Sequence, residues 1–141
     1  YTNVSNDETG FHIAKFMREL KSGDVEAFME RLKIFFSGIP YELSDDTERH
    51  YQVIFYLVFK LMGQYVDAEV RSAKGRADAV VETKDRIYVF EFKLEGTVDE
   101  ALKQIDEKGY LLPYQTDGRE LVKVGVSFNA EERNIGEYKV V

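Results

Sequence analysis

Gly75-Arg76-Ala77-Asp78, followed by Arg86-Ile87-Tyr88-Val89-Phe90-Glu91-Phe92-Lys93, is the stretch that decides the fold. The second segment is apolar at both parities before it reaches Glu91, the pattern of a strand buried on both faces at the centre of a sheet. Lys84-Asp85 leaves only a tight connection to the preceding strand, which predicts an antiparallel hairpin. Charges at the end of such a strand are partly desolvated, an unfavourable state unless a partner, often a metal ion, compensates them. The two-residue period of a strand points Glu91 and Lys93 to the same side. With Asp78 on the neighbouring strand, two carboxylates and one ammonium converge, the ingredients of a divalent-metal hydrolytic site.

Working outward, strands are expected at about 66–72, 77–83 and 86–93. Thr97-Val98-Asp99-Glu100 reads as a capping box opening a helix. That helix carries Val98, Ala101, Leu102 and Ile105 on one face and stops at Gly109. A valine-rich strand follows from Leu121 to Phe128, and a short last strand from Glu137 to Val141. Upstream, a helix from about Asp46 to Met62 ends at Gly63. Its second half, Val53 to Phe59, is apolar all round and is expected to be buried.

The first 40 residues read as two amphipathic helices. Phe11, Ala14, Phe16, Met17 and Leu20 line one of them, Gly23 breaks it, and Asp24 caps a second carrying Ala27, Phe28, Leu32, Phe35 and Phe36. Gly38-Ile39-Pro40 ends the pair. The expected organisation is a helical arm or linker subdomain at 1–40 and an α/β domain at 41–141, with element order α-α-α-β-β-β-α-β-β.

Composition narrows the classes. The chain has 141 residues, 44% hydrophobic and 32% charged, enough for one domain with a core. It has no cysteine, which excludes disulfides, zinc-thiolate sites and thiol catalysis. The longest strongly apolar run, Val53 to Phe59, is far short of the ~20 residues that span a bilayer. No secretory signal opens the chain, and the expectation is a cytoplasmic protein without a membrane partner. The opening Tyr1 suggests a piece of a longer protein. The net charge of −7 argues against tight nonspecific binding to a polyanion, although residues 66–95 hold seven acids and six bases and so are nearly balanced.

Asp78, the Glu91-Phe92-Lys93 triplet and the helix with Gln104 and Tyr110, in this order, resemble the PD-(D/E)XK nuclease superfamily. Within it the chain is most similar to the nuclease-like domain that follows an AAA-ATPase-like module in many bacterial proteins. The resemblance covers about 41–141 and implies a restriction-endonuclease-like core, α-β-β-β-α-β, a mixed sheet flanked by helices. It implies Asp78 and Glu91 as metal ligands, the Phe92 carbonyl as a third, and Lys93 as the residue that orients or polarises the attacking water. Gln104, before Tyr110, resembles a Gln-Tyr motif of one nuclease branch, and Glu48 resembles the glutamate of the first core helix, which reaches metal directly or through water. The proline of the superfamily's name is replaced by Ala77. Mg²⁺ or Mn²⁺ is the implied cofactor, nucleic acid (DNA ahead of RNA) the implied substrate, and an upstream AAA-ATPase-like domain the implied partner.

Each residue also has a plainer reading. Glu48 falls at the N3 position of a capping box if Asp45 is the N-cap. Gln104 can serve as a hydrogen bonder on the helix surface or at the rim of the site. Tyr110 can pack against Leu111, and Arg76 with Lys74 can either meet phosphates or sit in a solvated turn. The function expected is a metal-dependent nuclease. The alternative is a catalytically silent nuclease-fold module that binds nucleic acid or regulates an attached ATPase domain.

Overall fold

A computed structural model describes residues 13–37, 47–63, 67–73, 76–93, 96–109, 112–129 and 134–141, with the backbone alone at 47–54, 67–73 and 76–77. The elements are α1 (within 13–22), α2 (Val25–Ser37), α3 (Thr47–Met62), β1 (Asp67–Ala73), β2 (Arg76–Glu82), β3 (Arg86–Lys93), α4 (Val98–Lys108), β4 (Glu120–Asn129) and β5 (Asn134–Val140), with a short 3-10 turn at Leu112–Tyr114. The five strands form one mixed sheet in the order β1-β2-β3-β4-β5. Only β3 and β4 pair in parallel, joined through α4; the other neighbours are antiparallel. This is the α/β architecture of the restriction-endonuclease-like fold. No described helix is long and apolar enough to cross a membrane.

Local chemistry explains the boundaries. The β2–β3 hairpin closes on Thr83, whose N–H and hydroxyl both donate to the Arg86 carbonyl, at 2.8 and 3.0 Å. In α4, the Thr97 hydroxyl accepts from the Glu100 N–H while the Glu100 carboxylate accepts from the Thr97 N–H, a complete capping box. Gly109, at φ +65°, takes the left-handed conformation that ends α4. Gly23 at φ +85° ends α1, and the Asp24 carboxylate then caps α2 by accepting from the Ala27 N–H at 3.1 Å.

The central strand divides the core. Tyr88, Phe90 and Phe92 point to one face, where α1, α2 and α3 cover them. Phe28 meets Phe90 at 5.3 Å between ring centroids, Phe55 meets Phe92 at 4.3 Å, and Phe59 meets Phe90 at 5.2 Å. Ile87 and Val89 point to the other face, where Val80, Ile105 and the partly buried Leu102 and Leu121 make a smaller cluster beneath α4.

Two sequence expectations change in detail. The second half of α3 is not buried all round: Phe55, Val58, Phe59 and Met62 face the core, whereas Tyr56 and Leu57 are exposed. Among the described residues, the core-facing side of α3 is the one that meets apolar partners. The last strand starts at Asn134, three residues earlier than its apolar pattern suggested, because Ile135 is drawn into the core.

The segment read as a helical arm contributes, in its described residues, to the same core as the sheet. Ile13, Phe16, Met17, Leu20, Phe28, Leu32 and Phe36 belong to one buried cluster with Phe90 and Phe92. The Tyr88 hydroxyl donates to the Leu20 carbonyl, and the Asn134 side-chain amide donates to the Lys33 carbonyl.

Candidate active site

Asp78 and Glu91 are direct cross-strand partners in the β2–β3 ladder. Residues directly opposite on antiparallel strands share a face, and this pair lies on the face that α4 covers, in line with Val80 and Val89. Asp78 is 5% exposed and Glu91 fully buried. Two carboxylates side by side in a desolvated position repel each other and require a cation.

Among the described residues, a cation within reach is Lys108, from the last turn of α4. Its Nζ stands 3.9 Å from Asp78 Oδ2 and 3.7 Å from Glu91 Oε2. The sequence reading missed this residue. A signal was available, since Lys108 lies one helical turn after Gln104 and therefore on the same side of α4. Gln104 itself is partly buried, and its side-chain oxygen is buried without a hydrogen-bond donor among the described residues. A buried acceptor left open on the helix above two carboxylates fits a site built to receive donor groups from outside the chain.

Why α4 comes so close is read from Gly125. It is the β4 register partner of Glu91, and a Cβ built there would lie 2.6 Å from the Val98 carbonyl oxygen and 3.0 Å from Leu102 Cγ. Glycine thus lets α4 rest directly on the strand beside Glu91.

Lys93 is two residues beyond Glu91 at the end of β3, with Arg76 as its register partner. Its stem follows the turn into α4: a Cβ on Gly96 would lie 3.1 Å from Lys93 Cδ and 3.6 Å from its Nζ. The structure therefore brings Asp78, Glu91 and Lys108 together, while the Lys93 ammonium lies near the start of α4. The Phe92 ring is in the aromatic core, so only its backbone faces the chemistry expected of it. Glu48 lies in the first turn of α3 and Arg76 opens β2, but the side chains of both lie outside the described residues, as does the whole of Tyr110.

Among the described residues, no three His, Asp or Glu side chains form a metal-binding group. Asp78 and Glu91 make two hard-oxygen donors, the chemistry that suits Mg²⁺ or Mn²⁺. The ammonium already facing both shows that the position accepts positive charge. The residues present fit a divalent cation.

A family model, the PD-(D/E)XK nuclease superfamily, matches residues 46–138, about two-thirds of the chain. The matched stretch contains β1 through most of β5, α4 and every candidate site residue. The chain is also 28% identical over 123 residues to an uncharacterised protein from the vnfD 5′ region of Azotobacter chroococcum mcd 1, covering 82% of this chain and 24% of that protein. It thus spans about a quarter of that relative's length. No solved structure matches it.

Proposed function

Because this chain belongs to the PD-(D/E)XK nuclease superfamily, we propose that it is a metal-dependent nuclease that hydrolyses phosphodiester bonds of nucleic acid. The observation that carries this reading is the buried cross-strand pair Asp78 and Glu91, facing a cation beneath α4. In it, Asp78, Glu91 and the Phe92 carbonyl hold Mg²⁺ or Mn²⁺, with Glu48 supporting them. A bound divalent cation supplies polarisation of a phosphoryl oxygen and a more acidic water. Lys93 orients the attacking water from the end of β3 and offsets negative charge that develops on the phosphate. Gln104 offers its open side-chain oxygen to that water or to a donor on the substrate. Arg76 and Tyr110 meet flanking phosphates. DNA is the substrate class put first.

A second reading is a catalytically silent module that binds nucleic acid or regulates an attached ATPase-like domain. The net charge of −7 and the exposed acids Asp99, Glu100, Asp106 and Glu107 on α4 favour it, because they repel a polyanion. The chain's coverage of only a quarter of its longer relative leaves room for such a domain.

The two are separated by incubating single- and double-stranded DNA and RNA with the protein and Mg²⁺ or Mn²⁺, with Asp78→Ala and Lys93→Ala in parallel. Cleavage by the parent chain, abolished in Asp78→Ala and slowed with metal binding retained in Lys93→Ala, supports the nuclease. No cleavage by a chain that binds the metal supports the silent module.

A further inference from the structure

We propose that the cavity beside Lys93, at the carboxyl ends of β3 and β4, is a nucleoside subsite that takes a base next to the scissile phosphate and recognises its exocyclic amine. The inference rests on the nuclease reading above and names what holds the substrate on the β4–β5 side of the site.

Strand register lays out the floor of this cavity. Lys93 is the register partner of Ser127, and Ser127 is the partner of Glu137. Neighbours in register share a face of the sheet. An ammonium, a hydroxyl and a carboxylate therefore cross β3, β4 and β5 in one row. That row lies two residues beyond Glu91 and Gly125 and so on the face that carries α4. The helix begins over Gly125, where a Cβ would lie 2.6 Å from the Val98 carbonyl oxygen. The row at Ser127 thus lies past the first turn of α4, and the space above it is open.

That space is a cavity of about 520 Å³, lined by Gly96, Thr97, Ser127, Asn129, Gly136 and Glu137 together with Phe128. Its volume falls inside the roughly 300–1,000 Å³ of ligand-binding clefts. Its position, outside the carboxyl ends of two parallel strands, is where open α/β sheets hold their ligands. The β4–β5 register shifts between Ser127 and Phe128, leaving Gly136 as the extra residue of β5. Such bulges occur at sheet edges and beside active sites, where they re-aim the flanking side chains.

Charge decides which part of a nucleotide fits. A Cβ on Gly96 would lie 3.6 Å from Lys93 Nζ and equally 3.6 Å from Glu100 Oε1, so an ammonium and an acid both border the cavity there. With Glu137 on the opposite wall, a phosphate inside is repelled, whereas the Lys93 side suits one. The neutral base then enters the cavity. Phe128 turns its ring into the aromatic core against Phe36 and Phe92, so the base is held by hydrogen bonds rather than by stacking. The Ser127 hydroxyl donates or accepts, and the Glu137 carboxylate accepts from an exocyclic amine. Adenine and cytosine carry that amine; thymine places a carbonyl oxygen there, which the carboxylate repels.

The test measures binding of single-stranded adenine, cytosine and thymine DNA decamers in Ca²⁺ by fluorescence anisotropy, with Mn²⁺ binding by calorimetry beside it. The parent is expected to hold the adenine and cytosine decamers about fivefold or more tighter than thymine, the low end of what a hydrogen-bonded base edge contributes. Ser127→Leu fills the cavity and is expected to weaken both about tenfold with Mn²⁺ affinity retained. Glu137→Met is expected to abolish the preference for amine-bearing bases, a ratio that a merely structural role would not move. Should Ser127→Leu not fold, the amide resonances of Ser127, Asn129 and Glu137 in the parent are expected to shift on addition of the adenine decamer, and unmoved resonances overturn the subsite. Parent binding without base preference, or a Ser127→Leu affinity equal to the parent's, overturns the subsite and leaves the nuclease reading in place. Failure of the parent to bind any decamer overturns the nucleic-acid reading, and the subsite with it.

Discussion

Single side chains here do separate jobs on the two faces of one strand. Glu91 presents its charge to α4, while Tyr88, three residues earlier, presents its ring to the helices on the other side. The Tyr88 hydroxyl donates to the Leu20 carbonyl, tying the end of α1 to the sheet. Burial pushes the Tyr88 phenol above its usual range. The folded chain therefore holds that proton more tightly than the unfolded chain. The resulting stability is complete below the ordinary tyrosine value of about 10 and is lost as pH rises through the raised folded value. Tyr88→Phe is expected to lower stability by about 0.5–1.5 kcal/mol near neutrality, the net worth of one hydrogen bond. The loss stays modest because the Gly23 N–H also donates to the Leu20 carbonyl. The variant should also show a shallower fall of stability in alkali, measured by urea unfolding across a pH series. An alkaline limb as steep as the parent's would place the titration elsewhere. The candidate acids were legible at this scale, since strand parity alone aligns Glu91 with its neighbours. Lys108 was not, because its relation to Asp78 and Glu91 passes through the packing of a helix on a sheet rather than through any local spacing.

Elements meet through a few decisive contacts. The lodging of α4 against β4 depends on Gly125, where an added side chain collides with backbone that cannot swing aside. Gly125→Val is expected to destabilise by about 1–3 kcal/mol. It should also shift α4 outward, and with it Gln104 and Lys108. A lowered urea midpoint together with altered amide resonances along Val98–Lys108 would bear this out; an unshifted helix would show that β4 gives way instead. The ends of α4 were readable beforehand, because the Thr97–Glu100 box and Gly109 are local signals that act within one turn. The exposed side of α3 was not. An apolar stretch reports that a helix can be buried, but whether both sides are covered depends on how many layers surround it, and Tyr56 and Leu57 face outward here.

At the scale of the molecule, the aromatic core runs across the position where the sequence suggested a boundary. Phe16 packs on Phe28, Phe28 on Phe90, and Phe36 on both Phe92 and Phe128, so α1 and α2 are continuous with the sheet. A chain cut to 41–141 uncovers Phe90 and Phe92 on the central strand. It is expected to lose cooperative thermal unfolding and to bind a hydrophobic dye, behaviour of a chain whose core has been opened. Cooperative unfolding of that fragment, with a midpoint near the parent's, would instead show the arm to be a separate unit. The smaller substitution Phe28→Ala removes one ring from the middle of this chain of contacts and should lower stability by roughly 3–5 kcal/mol.

By itself the sequence determined the element order, the β2–β3 hairpin, the caps of α4 and the alignment of two acids at the buried end of a strand. These follow from backbone periodicity and from interactions that span a few residues. Tertiary structure alone decided that the N-terminal helices join the main core, that Tyr56 and Leu57 of α3 are exposed, and that Lys108 brings an ammonium to Asp78 and Glu91. Those outcomes depend on which surfaces meet across distant parts of the chain. Contacts of that kind are settled by the total apolar area covered and by the close approach that Gly125 permits, and no short window of sequence contains them.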